Sequence, residues 1–74
     1  MEIKVKFFAT LREGRGKVDI YKTEKEVTVK EILDHYEIDE EQASILYVNG
    51  RDADLDRVLE DEDVISIFPP VGGG

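Results

Sequence analysis

The chain has no cysteine and no tryptophan, one histidine and two prolines among its 74 residues. The lack of cysteine removes disulfides, thiolate metal sites and cysteine nucleophiles, so the core must hold by packing alone. The one histidine, His35, has no second histidine or cysteine to share a metal with and no glycine-flanked serine to activate, and it reads as a surface residue. No window approaches the ~20 apolar residues of a bilayer span, and the opening MEIKVKFF lacks an apolar run of signal-peptide length. A cytoplasmic protein with no membrane partner is therefore expected. Basic residues are also scarce, with Lys and Arg numbering 10 against 18 Asp and Glu and a formal net charge of −8. Such a balance repels a polyphosphate backbone and argues against nucleic acid as a partner. It serves solubility, or it complements a basic docking surface on a partner protein. The length allows one domain, residues 1–74, near the lower limit for a core without staples.

What the chain does contain is clear periodicity. Ile3, Val5 and Phe7 alternate with Glu2, Lys4 and Lys6, as in a half-buried strand, and Phe8 falls in the polar phase. The stretch REGRGK reads as a turn, after which Val18 and Ile20 alternate with Asp19 and Tyr21, completing a hairpin. The period then changes. Val29, Ile32, Leu33 and Tyr36 recur at helical spacing, with Thr28 and Glu31 placed for a capping box. ILYV is a third strand closed by Asn49-Gly50, with Leu46 and Val48 in one phase and Ile45 and Tyr47 in the other. ADLDRVLED predicts a turn or short helical stretch whose Leu55, Val58 and Leu59 cover the core. In the last strand Ile65 and Ile67 alternate against Val64, Ser66 and Phe68. The expected fold class is α+β, a mixed sheet of four to five strands with one helix packed on one face.

Several chemistries fail on residue type. Asp52, Asp54, Asp56 and Asp63 occupy calcium-loop positions, but Arg57 stands where the sharp turn needs glycine, and a solvated acidic loop is the better reading. The glycines of REGRGK lack the spacing and the Gly-Lys-Ser/Thr of a phosphate loop, so the chain has no ATP site of that kind. No carboxylate pair is marked out for acid–base work, and catalysis by this chain alone is not expected. Three aromatics stand out of phase. Phe8, Tyr47 and Phe68 each fall opposite the inward set of their strand, and together they are expected to form a protein-contact surface.

The sequence ends in FPPVGGG. Pro69 and Pro70 cannot donate to a ladder, so they end the last strand and begin a tail, 69–74. Gly72, Gly73 and Gly74 have no side chains to obstruct a narrow channel and reach about 10 Å when extended. What such a tip offers chemically is its own α-carboxylate, which becomes an acyl donor once adenylated. The ATP site must then belong to another protein.

VKFFATLRE, VNGR and DEDVISIFPPVGGG, together with the element order, give the chain a resemblance to the ubiquitin-like sulfur carriers of the β-grasp fold. The resemblance is strongest to the small subunit of molybdopterin synthase. It implies that Gly74, with Gly73 beside it, is adenylated by a ubiquitin-activating-like adenylyltransferase that supplies the ATP, and is converted to a thiocarboxylate. It implies further that Val71 to Gly74 enter the molybdopterin synthase large subunit and donate sulfur there. Phe8, Tyr47, Phe68, Pro69, Pro70, Val71 and Gly72 are then the partner-binding residues. Relatives that carry sulfur for thiamine synthesis, or that modify proteins through an isopeptide bond at the terminal glycine, share such endings. A plain interaction domain with an inert tail is the remaining reading.

Overall fold

The alternation of β1, Glu2–Phe7, is realised fully: Ile3, Val5 and Phe7 are completely buried while Glu2 and Lys4 face solvent. Each such buried side chain contributes about 2 kcal/mol of transfer free energy. The computed structural model describes residues 1–70, and the expectations placed on Val71, Gly72, Gly73 and Gly74 lie outside the described residues. β2, Val18–Lys22, pairs antiparallel with β1, setting Ile3 opposite Tyr21 and Val5 opposite Asp19. The connection holds more than a turn. Ala9–Arg12 form a short 3-10 helix that buries Leu11.

β3, Ile45–Val48, β4, Arg51–Asp52, and β5, Val64–Phe68, complete a five-stranded sheet of order β2-β1-β5-β3-β4. Its centre is the parallel pair β1 and β5, the first and last strands, with Val5 opposite Ile65 and Phe7 opposite Ile67. The other pairings are antiparallel. Asn49 and Gly50 join β3 to β4 with φ of 54° and 81°, the positive values that a tight hairpin turn of matching twist demands. Asn49 also ties the turn to β5: its side-chain oxygen accepts from the Val64 N–H at 2.9 Å, and its Nδ2 donates to Asp63 at 2.9 Å.

The helix α1, Val29–His35, lays Val29, Ile32 and Leu33 on one face of the sheet, as expected. Its capping box forms: Thr28 Oγ1 accepts from the Glu31 N–H and Glu31 Oε1 accepts from the Thr28 N–H, each at 3.2 Å. The two remaining first-turn donors, the N–H groups of Val29 and Lys30, reach the carbonyls of Arg57 and Leu55 at 3.0 and 2.8 Å. The irregular segment after β4 is thus fastened to the helix start by groups that every helix leaves unpaired.

That segment corrects one expectation. Leu59 is buried and Leu55 packs on the core, but Val58 is 47% exposed. The backbone here is extended, bridged to Thr28 at Val58 and donating from Leu59 to the Val27 carbonyl at 2.8 Å. Neighbours on an extended chain face opposite ways, so Val58 turns out where Leu59 turns in.

The helix ends on Glu37 at φ 58°. Its N–H donates to Asp34, and the N–H of Ile38 reaches back to the Leu33 carbonyl at 2.9 Å while both apolar side chains are buried. This closing motif favours glycine at the left-handed position. Glu37→Gly is expected to stabilise the domain by about 0.5–1 kcal/mol, the relief of the left-handed penalty less the extra freedom gained by the unfolded chain, read from thermal or urea unfolding. Just before it, Tyr36 sets its ring edge-on to Phe7 with centroids 5.1 Å apart and donates its hydroxyl to Asp19 at 2.7 Å. Burial first, and then the bond to a carboxylate, hold this phenol well above its ordinary range. The folded state therefore keeps the proton to higher pH than the unfolded state does. The stability contributed by Tyr36 is complete below about pH 10 and is lost as pH rises beyond it, and Tyr36→Phe should flatten that alkaline slope in urea titrations.

Candidate functional site

Because Phe7 lies opposite Ile67 in a parallel register, the next residues on each strand, Phe8 and Phe68, come side by side on the face away from the helix. The Phe8 N–H continues the ladder to the Ile67 carbonyl at 3.2 Å before Ala9, at φ 52°, turns the chain into the 3-10 helix. The two rings stack with centroids 4.2 Å apart and planes at 13°. Tyr47 meets Phe68 edge-on at 5.7 Å, and Ile45 lies across the ladder from Phe68. The three aromatics picked out by strand phase thus form one contiguous patch. All are half-buried, largely against one another, on the open face of the sheet.

The patch sits where β5 ends. Pro69 is half-buried and Pro70 exposed, directly after Phe68. Any chain leaving the fold beyond Pro70 starts beside the aromatic surface. Two neighbours were not singled out by sequence reasoning. Arg12 places its guanidinium carbon 5.5 Å from the centroid of the Phe8 ring and donates from Nε to the Phe7 carbonyl at 2.9 Å. Ile45 shares the phase of Tyr47, so alternation alone could have added it. For Arg12 the signal was absent, since its place depends on the unforeseen 3-10 helix.

The other titratable groups do not converge on this surface. His35 is exposed on the helix, its ring edge-on to Tyr21 at 4.7 Å. Asp52, Asp54 and Asp56 are exposed, whereas buried Asp63 spends one oxygen on Asn49 and the other on the Glu60 N–H at 2.7 Å. Among the described residues no group of three or more acidic or histidine side chains is arranged to hold a metal ion. A depression lined by Glu2, Lys4, Ile20, Glu62 and Val64 lies at the opposite end of the open face. No helix among the described residues is long and apolar enough to cross a membrane.

A mixed sheet grasping one helix defines a ubiquitin-like protein of the β-grasp class. The chain belongs to the ThiS family, which matches residues 5–74. It is 30% identical to small archaeal modifier protein 3 of Haloferax volcanii, over the whole of both chains. It is 28% identical to a chain in the complex of subunits 1 and 2 of the molybdopterin-converting factor of Helicobacter pylori, over all of both chains with a TM-score of 0.66. The crystal structure of small archaeal modifier protein 1 of H. volcanii, 22% identical, shares the fold with a TM-score of 0.77 over 95% of this chain and 98% of that one.

The patch geometry gives a direct check on its role. Phe68→Glu removes a stacked and an edge-on aromatic contact, costing about 1–3 kcal/mol beyond the area lost. The variant is expected to melt at lower temperature yet keep a cooperative transition and native circular dichroism. Complete unfolding would show that Phe68 belongs to the core.

Proposed function

We propose that the chain is a sulfur carrier for molybdopterin biosynthesis, acting as the small subunit of a molybdopterin synthase. In this reading Gly74 carries the free α-carboxylate. An ATP-using activating enzyme transfers AMP to that carboxylate and releases pyrophosphate, which makes the acyl carbon electrophilic. Hydrosulfide then attacks that carbon, the bond to the AMP oxygen breaks, AMP leaves with the electron pair, and after loss of a proton the chain ends in a thiocarboxylate. The sulfur is finally given up in the active site of the large subunit.

The observation that carries this reading is the placement of the Phe8, Tyr47 and Phe68 patch at the exit of β5, immediately before Pro69 and Pro70. A partner docked on the patch receives the following residues in a defined direction. Phe8, Tyr47, Phe68, Pro69 and Pro70 hold the partner, Val71 and Gly72 line the path, and Gly73 and Gly74 pass through a constriction that side chains would block. The full-length likeness to the H. pylori converting-factor chain supports the choice of pathway.

A second reading is favoured by a different observation, the full-length likeness to small archaeal modifier protein 3. Here the same activated Gly74 is attacked by a lysine amine of another protein and an isopeptide bond forms. Both readings share the adenylation step and part at the nucleophile.

Intact-mass spectrometry after incubation with the organism's activating enzyme, ATP and a sulfur source is expected to show one oxygen of the chain exchanged for sulfur. Deleting Gly73 and Gly74 should abolish the exchange. No sulfur gain, accompanied by terminal-glycine remnants on cellular lysines, would replace the carrier reading with the modifier one.

A further inference from the structure

The chain carries a net charge of −8, yet its first two strands run against that balance. Residues 1–22 hold six of the ten Lys and Arg but only three of the eighteen Asp and Glu. One of those three, Asp19, already accepts the Tyr36 hydroxyl at 2.7 Å. Lys17, just before β2, and Lys22, its last residue, are exposed, and neither has a carboxylate within 4 Å among the described residues.

β2 is also a free edge of the sheet. The Phe7 N–H reaches the Lys17 carbonyl at 2.9 Å, and the Thr23 N–H reaches the Met1 carbonyl at 3.0 Å. Bonded residues alternate along an antiparallel pair, so the odd-numbered residues of β2 turn their backbone groups toward β1. The N–H and carbonyl groups of Val18, Ile20 and Lys22 therefore point off the sheet. Side chains of the same three residues lie on the open face, where Val18 is 48% and Ile20 41% exposed. Sheet edges are commonly protected by brevity, proline, a bulge or lysine. β4, the opposite edge, is two residues long, whereas β2 runs five residues in unbroken register with β1. Its only guard is lysine. That guard works against a second copy, which would bring another basic hairpin against the first, but it attracts an acidic strand.

We infer that the free edge of β2 is a docking site for an extended acidic segment of a partner protein, which joins the sheet as a sixth strand antiparallel to β2. From Lys22 back to Lys17, the added strand meets a lysine, Tyr21, Ile20, Asp19, Val18 and a lysine. Residues directly opposite share a face, so the fitting segment reads acidic, neutral, apolar, neutral, apolar, acidic. Its two apolar residues cover Ile20 and Val18 and exchange backbone bonds with them, and its terminal carboxylates pair with Lys22 and Lys17. Backbone bonds supply the affinity in such an addition, while the side chains set register and sign. The site uses neither the aromatic patch nor the tail and is independent of the proposed function.

The test is an NMR titration of the isotope-labelled full chain with the synthetic peptide Glu-Thr-Val-Thr-Val-Glu, blocked at both ends. Amide shifts centred on Val18, Ile20 and Lys22 are expected. N-methylation of both peptide valines, whose N–H groups face β2, should weaken binding about tenfold or more, while N-methylation of both threonines, whose N–H groups face away, stays within about threefold. This comparison uses the unaltered chain and needs no variant to fold. Lys17→Glu combined with Lys22→Glu, checked for folding by its melting curve, should weaken binding about tenfold and reverse the preference in favour of a peptide with lysine in place of both glutamates. Shifts at the same amides on concentrating the chain without peptide would give the edge to a second copy and overturn the inference. So would equal affinity for the two methylated peptides, equal affinity of the wild type for the acidic and basic peptides, or no shift at these amides at any soluble peptide concentration.

Discussion

The rest of the structure depends on one pairing, the parallel ladder between the first strand and the last. β1 and β5 are separated by nearly the whole chain, yet they lie side by side at the centre of the sheet with four register pairs between them. Everything else is fitted around this contact. β2 and β3 attach to its two flanks, the helix covers its apolar side, and Ile3, Val5, Phe7, Ile65 and Ile67 from these two strands are all completely buried. A parallel pair requires a crossover, and here the crossover is the remainder of the protein.

The same ladder explains why the aromatic patch lies at one end of the sheet. Its register sets Phe8 beside Phe68, which produces the patch where β5 ends. The opposite end of the sheet is secured by polar chemistry. Asn49, Asp63 and Glu60 satisfy one another around the β3–β4 turn and the start of β5. Packing thus holds the end that carries the aromatic patch, and side-chain hydrogen bonds hold the other. A buried carboxylate such as Asp63 is tolerated because both of its oxygens accept bonds.

Elements with a period were legible in the sequence, and elements without one were not. The strands of Ile3, Val5 and Phe7 and of Ile65 and Ile67 follow period two, and the helix announces itself by spacing and by the Thr28–Glu31 box. The outward turn of Val58 was not legible because a segment whose carbonyls accept from the N–H groups of a helix start carries no repeating pattern of side chains. The 3-10 helix at Ala9–Arg12 is too short to leave a period, and with it went the position of Arg12. For the site, phase gave the face on which Phe8, Tyr47 and Phe68 lie but not their adjacency. Adjacency needs the strand order, and that order is fixed by the long-range β1–β5 contact, which no local window contains.

The parallel ladder has a mechanical side as well. A force applied at Pro69 along the axis of β5 meets the sheet lengthwise. Hydrogen bonds that lie across that axis are then loaded in shear, so all the bonds to β1 and β3 must yield together before the strand can slide. Peeling, in which bonds break one at a time, would need a pull at right angles to the sheet. The axis of the last strand is therefore the direction along which the fold is hardest to pull apart.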